Sequence, residues 1–426
     1  MSFQKVIRTA GHYFLLLMLL TLIGCALLYL AGLDLPSGVL QERIDYKIEL
    51  SSELLMEETD YPTIFSLRKK GATMESTVLD NYTESIMLNS AKYMNTARDP
   101  LSILSNPRYI TGQGISALDL SMSAGEEANT VYHRYWQGFR VFLRPMLWVM
   151  DYASMRELLR FVMLALFVLT SMDVAKKAGW QIAVPFALSV AFVSFAIVST
   201  LFQYAICFAI MMVSMLAVSR WKRSLPEWFF IVGVMTQYFD FYTVPCITLA
   251  MPLIYLLYLD SHKASSEKPL RRMLTCTLAW FAGYLGIWLV KLILTILFVD
   301  PTALTAMIGQ ITMWTGVNPA ERMADITRLD AIRVLFTTSL SKAHIIAMAA
   351  LIVLAAAGML RARIRRLSIV PFWQCLPVIA LPVIWVLIAY KATVWHTCFQ
   401  YRNVCVIFFS LFCFIASLMA PQQKAE

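Results

Sequence analysis

The charged side chains that stand inside apolar runs need a chemical reason for being there, because an ionisable group at membrane depth is costly. Asp240 interrupts the aromatic stretch Tyr238-Phe239-Asp240-Phe241-Tyr242, and Lys291 follows Trp288-Leu289-Val290. His396 and Arg402 bracket a third such stretch, His396-Thr397-Cys398-Phe399-Gln400-Tyr401-Arg402. Lysine and arginine offer donors to a phosphate, and histidine takes or gives a proton near neutral pH. Each has a plain alternative. Asp240 can cap a helix ahead of Pro245, Lys291 can snorkel to headgroups or pair with Asp240, and His396 beside Trp395 can be interfacial.

A second set lies in the polar segment that follows the first apolar run. Asp80 and Glu84 are four apart and share one face of a helix, while Asp34 stands alone at the exit of that first run. Carboxylates on one side of a membrane can act as general bases or bind a divalent metal; they also describe a solvated helix face. The segment closes on Tyr132-His133-Arg134-Tyr135-Trp136-Gln137-Gly138-Phe139-Arg140-Val141-Phe142-Leu143-Arg144-Pro145, three arginines interleaved with rings. Such a stretch suits a bilayer surface, where guanidinium forks meet phosphate and rings sit at the headgroup level. Gly112-Gln113-Gly114 lacks the Lys-Ser/Thr and the strand-to-helix frame of a phosphate loop. Asn81-Tyr82-Thr83 matches the glycosylation triplet, which recurs by chance.

These residues must be positioned by membrane helices. The chain has 426 residues, 59% hydrophobic and 15% charged, too apolar for an ordinary soluble globule. Its net charge of +9 does not point to nucleic acid. Between Asp34 and Tyr152 there are 16 acids and 11 Lys and Arg, which leaves 25 bases and 11 acids elsewhere, mostly on short connections between apolar runs. That is the distribution the positive-inside rule gives to cytoplasmic loops. The eight cysteines all fall in or beside apolar runs and form neither a disulfide framework nor a metal-ligand spacing. Leu22-Ile23-Gly24-Cys25 resembles a lipoprotein cleavage box, but the apolar run continues past it, as in an uncleaved anchor.

The charge rule and hydrocarbon thickness together predict an all-α integral membrane protein with about ten transmembrane helices. Residues 1–33 form a cytoplasmic N-terminus and first span, 34–155 an extracytoplasmic loop of amphipathic helices lying on the leaflet, 156–420 a multi-pass bundle, and 421–426 a cytoplasmic tail. The run 181–219 must fold back near Thr200. The run 228–259 reads as two short helices meeting at Tyr238 to Tyr242, because a single crossing puts Lys263, Lys268, Arg271 and Arg272 outside. Residues 300–340 read as an external connection.

Several stretches resemble a largely uncharacterised family of bacterial polytopic membrane proteins that look like the GT-C glycosyltransferase superfamily. They are Arg134-Tyr135-Trp136-Gln137-Gly138 with Leu143-Arg144-Pro145; Tyr238-Phe239-Asp240-Phe241 with Pro245, Thr248 and Pro252; Gly283-Tyr284 with Trp288 and Lys291; His396 with Phe399, Tyr401 and Arg402; and Thr83-Glu84-Ser85 with Met87-Leu88-Asn89. Gln137 stands where the resemblance leads one to expect a histidine. The resemblance implies a bacterial cytoplasmic-membrane enzyme that moves a sugar from a polyprenyl-phosphate donor to a cell-envelope glycan on the outer face. Its partners are then membrane lipids, the lipid-linked donor and the glycan acceptor. Glu84, with Asp80 and Asp34 as rivals, becomes the acceptor-activating base. Arg134, Arg144, Lys291 and Arg402 become donor-phosphate ligands, and Asp240 and His396 complete the substrate-binding set. The same cations suit a transporter or flippase of a lipid-linked glycan, and the outer segment suits a non-enzymatic envelope-assembly partner.

Overall fold

A computed structural model describes residues 3–34, 38–57, 79–110, 126–221, 224–261, 269–318, 323–339 and 374–419, with isolated helical positions between 349 and 360. Of the described residues, 78% are helical. The elements in order are α1 (Phe3–Ala31), α2 (Val39–Glu57), α3 (Asn81–Lys92), α4 (Ser102–Ser105), strands β1 (Pro107–Arg108) and β2 (Thr130–Val131), α5 (Arg140–Leu147), α6 (Tyr152–Ala178) and α7 (Trp180–Ala191). There follow α8 (Phe195–Val198), α9 (Phe202–Val218), α10 (Leu225–Phe239), α11 (Cys246–Ser261), α12 (Pro269–Phe298), α13 (Ala303–Thr315), α14 (Arg328–Ser339), α15 (Leu376–Ile388), α16 (Tyr390–Trp395), α17 (Thr397–Gln400), a 3-10 turn (Tyr401–Val404) and α18 (Cys405–Met419).

Among the described residues, four stretches are long and apolar enough to cross a membrane: Ile7–Ala31, Tyr152–Ala178, Pro269–Phe298 and Thr397–Ala416. Three of them, in α1, α6 and α12, turn an apolar face outward, with Leu15 69% exposed, Phe161 71% and Leu297 65%. Faces of that extent are stable only against hydrocarbon. The shorter apolar helices α9 and α11 are buried nearly all round, from Phe202 to Val218 and from Cys246 to Leu259. A helix that is apolar on every side belongs in the middle of a bundle. This is the architecture of an all-α membrane protein. The tail expected at 421–426 lies outside the described residues, as does Gly112-Gln113-Gly114.

Both expected fold-backs are present. The chain turns between α7 and α9 through Ser194, whose φ of +61° is left-handed. It turns between α10 and α11 at Asp240 to Pro245, with Tyr242 at φ +68°. Helices α10 and α12 pack closely because two glycines meet backbone: a Cβ on Gly233 would lie 2.1 Å from the Trp280 carbonyl oxygen, and one on Gly283 2.2 Å from that of Phe230. Small residues at a crossing let membrane helices approach to this degree.

The polar segment differs from the expectation of helices lying flat on a leaflet. Ile44 and Ile48 of α2, Met87 and Leu88 of α3, and Leu143 and Leu147 of α5 are fully buried in the same core as the bundle helices. The segment is therefore a cap on one end of the bundle. It also contains a short antiparallel ladder, Pro107 opposite Val131 and Arg108 opposite Thr130, which a helical periodicity does not reveal. The connection at 300–340 likewise carries two helices, α13 and α14. At the opposite end, Asp173 pairs with Lys177 at 3.1 Å and with Arg220 at 2.5 Å, tying α6 to the end of α9.

Candidate functional site

The cap meets the bundle where three breaks converge: 192–201, 240–245 and 389–404. Backbone groups freed at such breaks must find partners, and three of the expected site residues, Glu84, Asp240 and Arg402, supply them.

Glu84 is fully buried. Its Oε1 accepts the backbone N–H of Gln203 at 3.0 Å and its Oε2 that of Phe202 at 3.3 Å, so the carboxyl caps the start of α9. Burial pushes its pKa up to about 7, against the pull of Arg156 and the two N–H groups. Arg156 itself donates to Asn81 Oδ1 at 2.8 Å, and Asn81 donates to the Leu55 carbonyl, which buries the glycosylation triplet at its acceptor residue. Asp34 is half-buried at the exit of α1, with Oδ1 accepting the N–H of Gln41 at 3.3 Å.

Asp80 is in a different position. It is half-buried at the N-cap of α3, where Oδ1 accepts the Thr83 N–H at 3.0 Å and Oδ2 the Thr83 hydroxyl at 2.8 Å. The Cys398 sulfur lies 3.9 Å from Oδ2. The Asp80 charge also reaches His396, a half-buried imidazole between α16 and α17, stacked on Phe399 at 4.9 Å and beside Trp314 at 5.3 Å. Burial lowers the His396 pKa to about 4 although Asp80 opposes the shift, so the ring is neutral at pH 7.

The cations divide into two groups. Those that are fully buried serve carbonyls. Arg144 donates to the Ala91 carbonyl at 2.8 Å, at the C-terminus of α3, and to Gln41 Oε1 at 3.0 Å; burial lowers its pKa to about 10, opposed by Asp34 and Asp45. Arg140 and Lys291 close the C-terminus of α4. Arg140 reaches the carbonyls of Ser102 and Ile103 and the Asn106 amide oxygen, and Lys291 donates to Leu104 at 2.5 Å. Lys291 also lies over the Trp136 ring, whose indole N–H donates to the Ile287 carbonyl at 2.8 Å. Arg402 donates through Nε to the Val193 carbonyl at 3.3 Å and through Nη1 to that of Cys398, and its plane stacks on Tyr204 at 4.1 Å. Its Nη2 is buried with no partner among the described residues.

Arg134 belongs to the accessible group. It is half-buried, 4.6 Å above the Tyr132 ring, and Arg108 lies 4.0 Å from the same ring. Neither guanidinium has an acidic partner among the described residues. Burial holds the Arg108 pKa below its usual value; Tyr132 and Tyr82 oppose that shift and Arg134 adds to it. Around them Tyr135 approaches Phe241 at 5.8 Å and Tyr242 at 5.9 Å, so the patch borders the break after α10. In that break Asp240 is buried and accepts the Thr243 N–H at 2.9 Å and the Thr243 hydroxyl. Asp240 therefore closes a local turn within the break, short of α11, instead of capping that helix, and it does not pair with Lys291. Gln137, at φ +55°, is buried with both amide atoms unpartnered.

The structure thus brings Asp80 and His396 together and leaves Arg134 accessible nearby. It draws Glu84, Arg144, Lys291, Arg402 and Asp240 into backbone contacts. Arg108 and Tyr204 were not foreseen. Arg108 reads as one base among many in a polar segment, and only the pairing of β1 with β2 sets it beside Tyr132. No group of three His, Cys, Asp or Glu among the described residues is placed to hold a metal ion. Compared with known protein families, curated proteins and solved structures, the chain matches none.

Proposed function

We propose that this protein is an integral membrane transferase that docks a phosphate-bearing lipid-linked sugar at the capped end of its bundle and passes the sugar to a cell-envelope acceptor. In this reading the short helices α7 and α9, α10 and α11 are paired short crossings. The chain then spans the cytoplasmic membrane about ten times with both ends inside, the cap facing outward. The observation that carries the proposal is the pair Arg108 and Arg134 over one tyrosine ring, with no carboxylate partner among the described residues, on the cap beside α3. Two guanidinium groups held over one ring repel each other, and a visiting anion relieves that repulsion. Arg108 lies in β1, which packs against α3, and Asp80 is the N-cap of α3; in this reading a phosphate held there is presented toward Asp80 and the neutral imidazole of His396.

The roles follow from access. Asp80, with His396, accepts the proton of the acceptor hydroxyl; Glu84 is unsuited because both its oxygens already serve α9. Arg108 and Arg134 hold the phosphate, and the charge on Arg402 lies behind Tyr204 as a fixed field. The test uses protein in lipid nanodiscs with a polyprenyl-phosphate-linked hexose as probe. Arg108→Gln with Arg134→Gln is expected to weaken binding by about tenfold or more, the scale of charge-assisted hydrogen bonds. Asp80→Asn is expected to leave binding intact and to slow transfer by about a hundredfold. Full transfer by Asp80→Asn overturns the assignment of the base. Movement of intact lipid across the bilayer without bond cleavage favours a transporter using the same cations.

A further inference from the structure

The end of the bundle opposite the cap carries a feature that the transfer reading does not use. A cleft of about 730 Å³ opens between the first turns of α1 and the start of α10, and its lining is of mixed sign. Gln4, Arg8, Thr9 and His12 come from α1, and Ser224 and Glu227 from the other wall. His12 Nε2 stands 3.9 Å from the Glu227 carboxylate, whose side chain is 19% exposed. Tyr13 also lines the cleft and is anchored against Phe230 at 4.9 Å.

The level of the cleft matters. The apolar span of α1 begins at Ile7, so Arg8 and His12 lie where hydrocarbon gives way to headgroups. On the helix the face that carries Arg8 and His12 continues one turn at a time into Leu15, Leu19 and Leu22, which are 69%, 54% and 69% exposed. A polar cleft therefore opens directly onto an apolar stripe on the same helix. A molecule matching both has a charged head and a hydrocarbon chain.

We propose that this cleft binds a zwitterionic phospholipid with a primary ammonium headgroup. Arg8, with the hydroxyls of Thr9 and Ser224, faces the phosphate, and Glu227 faces the ammonium, with one acyl chain along Leu15, Leu19 and Leu22. The sign pattern selects this class. A purely anionic headgroup meets the Glu227 charge with nothing to offer it, and a quaternary ammonium has no N–H to donate. The binding does not depend on the transfer reading, since no residue is shared between the two sites.

The experiment is native mass spectrometry and thermal unfolding of the delipidated full chain, titrated with mixed micelles of phosphatidylethanolamine, phosphatidylcholine or phosphatidylglycerol. The unaltered protein is expected to retain the ethanolamine lipid over the choline lipid by about threefold or more, the scale of a partly exposed ion pair. Glu227→Gln keeps the side-chain shape and is expected to remove that preference, and Arg8→Gln is expected to weaken retention of both lipids. Unfolding temperatures of the variants without added lipid check that the fold is intact. Equal retention of all three lipids, stronger retention of phosphatidylglycerol, or a preference that survives Glu227→Gln overturns the proposal.

Discussion

Glu84 offers the sharpest test of how this site is divided between support and chemistry. Its carboxyl is fully buried and accepts two N–H groups at the start of α9, and burial raises its pKa from the ordinary 4.5 to about 7. The raised folded value fixes the sign. The group's contribution to stability is fully present below pH 4.5, declines as pH rises through the interval to 7, and is lost above it. A displacement of about 2.5 pH units at ~1.4 kcal/mol each amounts to about 3 kcal/mol across that interval. Glu84→Gln does not titrate. Above pH 7 it relieves the buried charge but turns an amide NH2 toward one of the two N–H donors, a conflict of ~1–3 kcal/mol. The two effects nearly cancel, so the variant is expected to fold. The assay is unfolding followed by tryptophan fluorescence in detergent at intervals from pH 4.5 to 8, for the unaltered protein and Glu84→Gln. The unaltered protein is expected to lose thermal stability as pH rises through this range, and the variant to lose markedly less. An identical pH slope in the two proteins refutes the burial-driven rise of the Glu84 pKa. Abolished sugar transfer in a stable Glu84→Gln variant refutes its exclusion from the chemistry.

Two further outcomes follow from packing. Gly283→Ala places a methyl against the Phe230 carbonyl oxygen at 2.2 Å, so α10 and α12 must separate; a loss of ~1–3 kcal/mol is expected, read as a lower unfolding temperature. Asp240→Asn keeps an acceptor for the Thr243 N–H and is expected to be nearly neutral, whereas Asp240→Ala removes both acceptors of that turn and is expected to cost ~1 kcal/mol in the same assay.

The contrast between Asp80 and Glu84 shows where a linear reading stops. Four residues apart on α3, they look equivalent on a helical wheel. Asp80 stands at the N-cap and stays half-open toward His396, while Glu84 faces inward and meets the first N–H groups of α9, 118 residues further along the chain. The arginines of 134–144 tell the same story. Their spacing shows that they lie at an interface, but Arg140 and Arg144 are taken up by the carbonyl ends of α4 and α3, and only Arg134 remains open, paired on Tyr132 with an Arg108 that nothing in the sequence singles out. Asp240 and Lys291 both need partners: Asp240 finds a local one in Thr243, whereas Lys291 reaches the Leu104 carbonyl, distant in the chain.

By itself the sequence determined the helical membrane character, the location of the polar segment and the two fold-backs at Thr200 and Asp240. These depend on hydrophobic run length, on the sign of loop charge and on turn-forming residues, all of which are local quantities. Only the tertiary structure decided which ionisable groups serve backbone and which stay accessible. A broken helix leaves unpaired carbonyls and N–H groups, and the nearest charged side chain in space, whatever its place in the chain, is drawn in to satisfy them.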